Sequence, residues 1–321
     1  MDFEALLKGR QCECGKIHSC RIRHIIIKSG AVSELGKLTV NYHHILLVAD
    51  TNTYRVCGEN VRMLLGDRLE KALIYKSRGY LVPNEDAIKQ LMDSVSEKTD
   101  LIIGIGSGVI QDLCKYVSFL SKVPYFIIAT APSMDGYASD GAAMIINNMK
   151  VSFSARVADT IICDIDILKN APMDMIKSGY GDIIGKFSSL NDWKLSHLVN
   201  GEYFCDYVYN LTYQMVLKVK DLGPKLLTRD EDAINVLMEA LIIVGIAMAY
   251  AGNSRPASGS EHHMSHFFEV IGIMKNEPYL MHGVDVAFST VYTERLREKL
   301  LALPEPPSPA KFDEAAWEQK I

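Results

Sequence analysis

The first half of the chain alternates short, continuously apolar runs with longer amphipathic segments. Three helix-like segments, at 53–66, 84–98 and 109–122, carry apolar residues at helical spacing. The runs between them, rich in leucine and β-branched residues, predict buried strands: HHILLVAD (43–50), ALIYKS (72–77), DLIIGIGSG (100–108) and PYFIIATA (124–131). Strands that alternate with helices of this length are typical of βαβ units in a parallel sheet. The pattern therefore predicts an N-terminal, Rossmann-like α/β domain.

The pattern changes after this alternation. Residues 142–156 read as a hairpin that turns at Asn147 and Asn148, and residues 157–168 predict one more strand. After Pro172 long helical periodicity runs to about residue 302. We therefore expect an α/β domain over 1–170 and an all-α domain over 171–321. The tail from residue 303 begins as a proline-rich linker and starts a new helix with little to pack against, so we expect the natural protein to extend further.

Composition and charge exclude several classes of protein. The 321 residues are 48% hydrophobic, and the formal charge of -5 is spread along the chain without a basic stripe, which argues against nucleic acid as a partner. The apolar run 240–252 is shorter than a membrane span and predicts a buried helix instead. The N-terminus lacks the layout of a secretory signal, and seven cysteines, most of them single in apolar contexts, indicate reduced thiols in the cytoplasm.

One cysteine-rich segment, CECGKIHSC (12–20), allows two interpretations. Cys12, Cys14, His18 and Cys20 carry zinc-ligand side chains. Their spacing is not a standard finger pattern, however, and no second pair follows nearby. A reduced N-terminal loop is the favoured interpretation.

The segment GIGSGVIQD (104–112) stands where a strand should pass into a helix. Glycines at such a turn let the backbone approach a phosphate at the helix N-terminus. Val109 replaces the third glycine of the dinucleotide fingerprint, and any tight turn of this kind favours glycine. Asp50, at the end of an earlier strand, could accept hydrogen bonds from a ribose diol and would repel a 2′-phosphate. A nucleotide site and an ordinary turn both remain open.

The next strand is followed by TAPSMDGYASDG (130–141). Thr130, Ser133, Asp135 and Ser139 could line a polar cleft at the carboxyl edge of the sheet, where α/β proteins bind ligands. A surface loop rich in turn-forming residues explains the same composition.

Histidines and an aspartate in the second half form a candidate metal set. His262 and His266 are four residues apart and project from one face of a helix, whereas His263 is turned away by about 100°. His282 lies beside a glycine at the start of an apolar segment, and Asp182 follows what reads as a glycine-flanked turn. One carboxylate and two imidazoles with an open position are typical of a catalytic zinc-like ion. Ordinary hydrogen-bonded helix residues remain the alternative.

Several motifs together resemble the sn-glycerol-1-phosphate dehydrogenase family, which is related to glycerol dehydrogenase and the iron-containing alcohol dehydrogenases. They are DLIIGIGSGVIQD, TAPSMDGYAS, GYGDIIGK, HHMSH and MHG, and the resemblance, closest to the araM-like bacterial branch, runs from about residue 12 to 300. It implies the architecture that this family shares with dehydroquinate synthase: a Rossmann-like domain that binds the cofactor, then a helical domain that binds metal and substrate.

The resemblance also implies roles for individual residues. A divalent ion, zinc or nickel, would be held by Asp182, His262 and His282. The substrate would be contacted by Asp135, Asp182 and His266, and the cofactor by Gly106, Ser107, Gly108 and Asp112 at the phosphates and by Thr130, Ser133 and Ser139 on the nicotinamide side. Lys186 stands where iron-type relatives have a further histidine ligand, which argues against a four-residue iron site.

The implied reaction is the reduction of dihydroxyacetone phosphate to sn-glycerol 1-phosphate by NADH, possibly NADPH, with metal assistance and with His266 as a proton contact. Asp50 leans towards NADH. Arg255, in the turn before His262, is a candidate for the substrate phosphate, and we expect a homo-oligomer. Three alternatives remain: a dehydrogenase for glycerol or another small polyol, a dehydroquinate-synthase-like lyase, and a non-enzymatic binding protein. Asp182, where the lyases have glutamate, argues against the second, and an intact metal triad against the third.

Overall fold

The computed structural model describes residues 2–76, 81–147, 149–275, 277 and 280–305. The strands in chain order are β1 (Arg10–Gln11), β2 (Ile17–His18), β3 (His24–Lys28), β4 (Ile45–Asp50), β5 (Leu69–Tyr75), β6 (Leu101–Gly106), β7 (Tyr125–Ala129), β8 (Gly141–Ile146), β9 (Met149–Ser154) and β10 (Thr160–Asp164). The helices are α1 (Phe3–Leu7), α2 (Leu35–Leu38), α3 (Thr51–Leu65), α4 (Glu85–Met92), α5 (Gly108–Ser121), α6 (Ile165–Leu168), α7 (Met173–Asn200), α8 (Asp206–Val219), α9 (Gly223–Leu227), α10 (Glu231–Ala251), α11 (Ser260–Lys275) and α12 (His282–Leu301).

Six strands form one parallel sheet in the order β3-β10-β7-β6-β4-β5. The inner strands β6, β7 and β10 are buried along their whole length, as continuous apolar runs predict for a sheet covered on both faces. The four predicted strands and the strand predicted within 157–168 are all present. The sequence interpretation missed β3, a five-residue edge strand whose two ends are exposed and which therefore lacks a long apolar run.

The chain changes direction across the sheet next to β4. From β4 it passes outward to β5 and then returns to β6 on the other side of β4. The carboxyl ends of β4 and β6 therefore flank a topological switch point, which is the usual ligand crevice of an open α/β sheet. Asp50 ends β4 and Gly106 ends β6, so both predicted cofactor positions lie at this crevice.

The predicted hairpin is formed by antiparallel β8 and β9. Asn147 adopts a positive φ in its turn, and Asn148 lies outside the described residues, as does the helix predicted near the C-terminus. Long helices begin at Met173, close to the predicted change of pattern.

The helix α10 has the length and hydropathy of a membrane span, yet 78% of its apolar window is buried inside the protein. It is the buried helix that the sequence predicts, extended N-terminally to Glu231. Gly245 faces the turn after β7, where an added Cβ would lie 2.7 Å from the Asp135 carbonyl oxygen. A small residue is therefore required for α10 to support that turn.

The helices α7 and α12 cross in close backbone contact, and glycines at the crossing make this contact possible. A Cβ at Gly181 would lie 2.2 Å from the Gly283 carbonyl oxygen, and one at Gly283 would lie 1.8 Å from the Ser178 carbonyl oxygen. The glycines around Asp182 thus serve a helix crossing. The expected turn before Asp182 is wrong, because this residue lies inside the 28-residue helix α7.

The N-terminal segment, which precedes the first strand of the six-stranded sheet, packs against the helix α10. The Tyr250 hydroxyl near the end of α10 donates a hydrogen bond to the Leu6 carbonyl, and the ring of His18 stacks on the Tyr250 ring. Residues 2–22 therefore cover the end of α10.

We expect Gly181→Ala to destabilise the protein by roughly 1–3 kcal/mol, because its methyl group must push α7 and α12 apart. Gly36→Ala is the control: it lies in a helix with nothing within 4 Å of its added Cβ and should be neutral or slightly stabilising. Denaturant unfolding of both variants measures the difference. Equal stabilities would contradict the crossing as described.

Candidate active site

Three helices bring ligand-type side chains to one point. Asp182 from α7, His262 from α11 and His282 from α12 offer one ligand atom each, all within 4.8 Å of one another. Asp182 is fully buried, His262 nearly so, and the side chain of His282 is 27% exposed. The set is therefore closed by protein on the Asp182 side and accessible from the His282 side.

Each of the two histidines is oriented by its own carboxylate. His262 Nδ1 lies 2.6 Å from Glu261 Oε1, and His282 Nδ1 lies 3.3 Å from Glu269 Oε1. A carboxylate oxygen can only accept, so each Nδ1 carries the proton and each Nε2 keeps its lone pair. Carboxylate-backed imidazoles of this kind are typical of metal-binding histidines.

Burial favours the neutral imidazole at His262 and at His266. Burial, together with the charge of Lys186, holds the pKa of His262 well below its ordinary value. Burial and the Lys150 ammonium lower the pKa of His266 to about 4. Burial alone would raise the pKa of Glu269, but the hydrogen bond from His282 and the nearby positive charges lower it to about 2.

A fully buried lysine joins two parts of the site. Lys186 Nζ lies 2.5 Å from Asp182 Oδ1 and 2.7 Å from Asp135 Oδ2, while the Asp135 backbone N–H donates to Asp182 Oδ2 at 2.9 Å. Burial opposes the charge on Lys186, but the two carboxylates outweigh it and raise the pKa of the ammonium. The segment after β7 is thereby fixed to α7.

The donor set fits a divalent ion. Asp135, Asp182, Glu261 and Lys186 sum to two negative formal charges, so a dication would be attracted to the cluster. A carboxylate with two imidazoles is a ligand set of catalytic zinc and of several transition metals. Lys186 Nζ is bonded to Asp182 Oδ1 and its ammonium offers no lone pair to a metal, so this cluster of the described residues has three protein ligands.

The remaining predicted histidines lie as their helical spacing requires. The His266 ring is 5.7 Å from the His282 ring and 6.0 Å from the His262 ring, centroid to centroid, whereas His263 is exposed on the other side of α11. His266, Glu269 and His282 form a second group that could hold an ion, overlapping the first at His282. His266 therefore borders the accessible side of the site.

The glycine turn has the features of a phosphate cradle. No side chain of the described residues caps the first turn of α5 at Ser107, so its backbone N–H groups are available to an anion. A Cβ at Gly106 would lie 2.5 Å from Ile110 of α5. The third glycine of the dinucleotide fingerprint allows close packing of helix and strand. Here glycine in strand β6 allows α5 to pack closely instead. Asp50 accepts hydrogen bonds from the backbone N–H groups of Asn52 and Thr53 through Oδ1, at the neighbouring strand end.

A second buried lysine, Lys115 on α5, stabilises the segment after β7 by hydrogen bonds. Lys115 donates to the carbonyl oxygens of Gly136 and Gly141 and to Ser139 Oγ, and lies 3.6 Å from Asp112. The hydroxyl of Ser139 and the carboxylate of Asp112 thus have partners inside the protein. Thr130 and Ser133 are buried, and the Thr130 N–H bonds the Gly106 carbonyl, which ties this segment to the glycine turn.

Arg255 does not join the group of predicted substrate contacts. Its guanidinium forms a bidentate ion pair with Glu202, at 2.8 Å from Nε to Oε1 and 2.5 Å from Nη2 to Oε2. Both planar groups are satisfied by this pair, so the structure gives no support to Arg255 as a phosphate contact. Lys150, paired with Glu269 beside His266, is a cation that the sequence interpretation missed.

Cys20 does not join Cys12, Cys14 and His18, as the less favoured zinc interpretation of this segment required. It is buried in the main apolar core, and Cys205 takes its place beside the other three. These four residues, Cys12, Cys14, His18 and Cys205, are called the cysteine–histidine cluster below. The cysteines are free thiols, as the favoured interpretation of a reduced loop has them, and the loop packs against α8 and α10 through this cluster.

Sequence reasoning also missed Glu261 and Glu269. Both are buried acids on the histidine-bearing helix, and Glu269 follows His266 by three residues. The spacing of three residues between His266 and Glu269 was an available signal, because it places both on one helix face. An acid on a helix face that is predicted to be buried also requires a partner, which the histidines could supply.

Comparisons with known proteins agree with this geometry. The family model for iron-containing alcohol dehydrogenases matches residues 26–172. The chain is 34% identical to the glycerol-1-phosphate dehydrogenase [NAD(P)+] of Halalkalibacterium halodurans, over 90% of this chain and 76% of that protein. It is 32% identical to the enzyme of the same name from Hyperthermus butylicus, over 83% of this chain and 76% of that protein. A crystal structure of a probable glycerol dehydrogenase from Sinorhizobium meliloti superimposes with a TM-score of 0.68 at 18% identity, over 93% of this chain and 79% of that one.

We expect Lys186→Met to destabilise the protein by about 3 kcal/mol or more, because it leaves two carboxylates without their buried counter-charge. Lys177→Met on the same helix is the control, since Lys177 pairs with Asp174 at the surface and should change stability by less than about 1 kcal/mol. Urea unfolding compares the two variants. A Lys186→Met protein as stable as the control would show that the ion pairs do not hold the site.

Proposed function

Because the chain belongs to the glycerol-1-phosphate dehydrogenase family, we propose that it reduces dihydroxyacetone phosphate to sn-glycerol 1-phosphate and catalyses the reverse reaction. The hydride comes from NADH or NADPH, and one proton completes the product alcohol. The convergence of Asp182, His262 and His282, each histidine backed by a carboxylate, is the observation that carries this proposal.

We propose that these three residues hold one divalent ion, zinc or nickel. When bound there, the ion supplies polarisation of the carbonyl oxygen of the substrate. Asp182 is positioned by Lys186 and by the Asp135 N–H, so its ligating oxygen needs little reorganisation. His282 is the most exposed of the three, so a substrate would reach the ion from its side.

The residues beside the metal set have complementary tasks in this proposal. Asp135 and His266 border the open side and contact the hydroxyl and ketone groups of the substrate. His266, with its pKa lowered to about 4, is neutral at pH 7 and donates a hydrogen bond through its N–H. In the reverse reaction its other nitrogen can accept the proton that the hydroxyl of glycerol 1-phosphate loses.

The cofactor is assigned to the switch point of the sheet. Gly106, Ser107 and Gly108 would bind its phosphates with the N-terminus of α5, and Asp50 would accept from the ribose diol through its second oxygen. Asp112 and Ser139 would contribute indirectly, by positioning Lys115, which bonds the segment after β7. Thr130 and Ser133 would line the nicotinamide side. Asp50 favours NADH over NADPH by repulsion of a 2′-phosphate.

The preference for a phosphorylated substrate rests on the family to which the chain belongs. A bound dication would cancel the two negative formal charges of Asp135, Asp182, Glu261 and Lys186, and the Lys150–Glu269 pair adds none. The loaded site would therefore be close to neutral, and a phosphate needs a contact of its own. Lys150 is a nearer candidate for a phosphate contact than Arg255.

The decisive assay is oxidation of NADH and NADPH by the metal-loaded protein with dihydroxyacetone phosphate, dihydroxyacetone or glyceraldehyde phosphate. Dihydroxyacetone phosphate should give by far the highest kcat/KM, and chiral analysis should identify the sn-1 product. Activity on dihydroxyacetone alone would refute the phosphate assignment and favour a polyol dehydrogenase.

We expect Asp182→Asn and His282→Ala to lose the bound metal and at least about 100-fold in kcat/KM, because each removes one of three protein ligands. His263→Ala is the matched control, since this histidine lies on α11 but faces solvent. Metal content is measured alongside activity. A metal-replete, fully active Asp182→Asn would contradict the site.

We also propose that the chain forms a homo-oligomer in the cytoplasm. The seven cysteines are free thiols, which suits a reducing compartment. On α12 an exposed apolar stripe, referred to as the α12 stripe, repeats every four residues and consists of Phe288, Tyr292, Leu296 and Leu300. Exposed apolar side chains aligned along one helix are typical of a surface that another protein covers.

Light scattering coupled to size exclusion should therefore give a mass of at least two chains. Tyr292→Lys should shift the protein towards the monomer, because a buried interface cannot accommodate an unpaired ammonium. Leu227→Lys, at an exposed apolar position on α9, is the control and should not change the mass. A wild-type monomer at all concentrations would contradict the proposal.

A further inference from the structure

The cysteine–histidine cluster has the dimensions of a tetrahedral metal site. Cys12 and Cys205 are 3.7 Å apart between sulfurs, and His18 Nε2 is 3.4 Å from both Cys14 Sγ and Cys205 Sγ. Zn–S bonds of about 2.3 Å and Zn–N bonds of about 2.0–2.1 Å at tetrahedral angles separate two sulfurs by about 3.8 Å and a sulfur from a nitrogen by about 3.5 Å. A disulfide would require about 2.05 Å between the two sulfurs.

The ligand atoms are oriented by their surroundings. His18 is fully buried, and its Nδ1 lies 3.1 Å from the Tyr250 carbonyl oxygen, which only accepts, so Nδ1 carries the proton and Nε2 presents its lone pair to the sulfurs. The ring is stacked against Tyr207 and Tyr250. Metal-binding imidazoles commonly donate their other ring N–H to a backbone carbonyl in this way.

Polar groups surround the sulfurs. Cys14 Sγ lies 3.4 Å from the Tyr203 hydroxyl oxygen. Cys205 is the N-cap residue of the 14-residue helix α8, although burial raises the pKa of its thiol to about 11. Lys16, whose ammonium lies 3.6 Å above the Tyr203 ring, places a positive charge beside the cluster.

The backbone of the N-terminal loop is shaped for two ligands in close succession. Between β1 and β2 the Cys12 N–H bonds the Lys16 carbonyl, and the Gly15 N–H bonds the Cys12 carbonyl. Gly15 has φ +86°, a conformation that a side chain disfavours. This tight turn brings Cys12 and Cys14 to the same side, towards Cys205.

We propose that Cys12, Cys14, His18 and Cys205 bind one structural zinc ion, separate from the catalytic metal set. Zinc binding would displace three thiol protons and give the site one net negative charge, which Lys16 partly balances. Four protein ligands leave no open position, so the ion is structural. It joins the N-terminal segment to the start of α8 and the end of α10, one loop before the helix that carries His262.

The first test is metal analysis of the full chain, purified under reducing conditions with zinc supplied. We expect one zinc equivalent that is released by a thiol-modifying mercurial, in addition to the metal held by Asp182, His262 and His282. Cobalt replacement should produce sulfur-to-cobalt charge-transfer absorption, which oxygen and nitrogen ligands do not give. Absence of any thiolate-bound metal from the folded wild-type chain would overturn the proposal.

Variants separate the two sites. Cys12→Ser, Cys14→Ser and Cys205→Ser should each lose the charge-transfer band and the mercurial-released zinc, whereas Cys20→Ser should keep both because Cys20 lies in the apolar core. Asp182→Asn should keep the band while losing the catalytic metal, so failure of the proposed activity is distinguishable from failure of this site. A band that persists in Cys205→Ser, or a Cys12–Cys205 disulfide in place of zinc, would refute the assignment.

If a cysteine variant does not fold, X-ray absorption of the wild-type protein decides by counting sulfur neighbours of the zinc.

Discussion

The ion pairs of the buried Lys186 ammonium organise the candidate active site. Lys186 lies between Asp182, on the long helix α7, and Asp135, in the segment that follows β7. A buried charge is tolerated only when it is paired, so neither carboxylate can move away without leaving the other groups uncompensated. The helix and the sheet are thereby held at a fixed distance. The position of His262 and His282 around Asp182 is useful for chemistry only because this distance is fixed.

The same constraint explains how charge is distributed in the pocket. The ammonium of Lys186 offsets part of the negative charge of the site. Burial near positive charges lowers the pKa of His262 and of His266, which favours their neutral form. Together these effects favour a divalent ion held by three protein ligands. The family membership and the geometry thus point to the same reaction from independent observations.

Much of the fold follows from the sequence because it depends on local pattern. Continuous apolar runs identify β4, β6 and β7, and the four-residue spacing of His262 and His266 correctly separates them from exposed His263. The glycines before Asp182 misled the prediction, since a glycine required by a neighbouring helix looks the same as one required by a turn. Arg255 failed for a related reason: its partner Glu202 lies 53 residues away. Contacts of this kind depend on tertiary packing, which periodicity does not contain.

The cysteine–histidine cluster has a consequence for the order in which the protein assembles. Cys12 and Cys205 are separated by 193 positions, so during synthesis the first three members leave the ribosome long before the fourth exists. Closing so long a loop costs more chain entropy than closing a short hairpin, and it gains nothing until α8 and α10 are in place. The N-terminal segment can therefore reach its final position only once α8 and α10 are in place. Its position is completed by contacts that lie far along the chain from it.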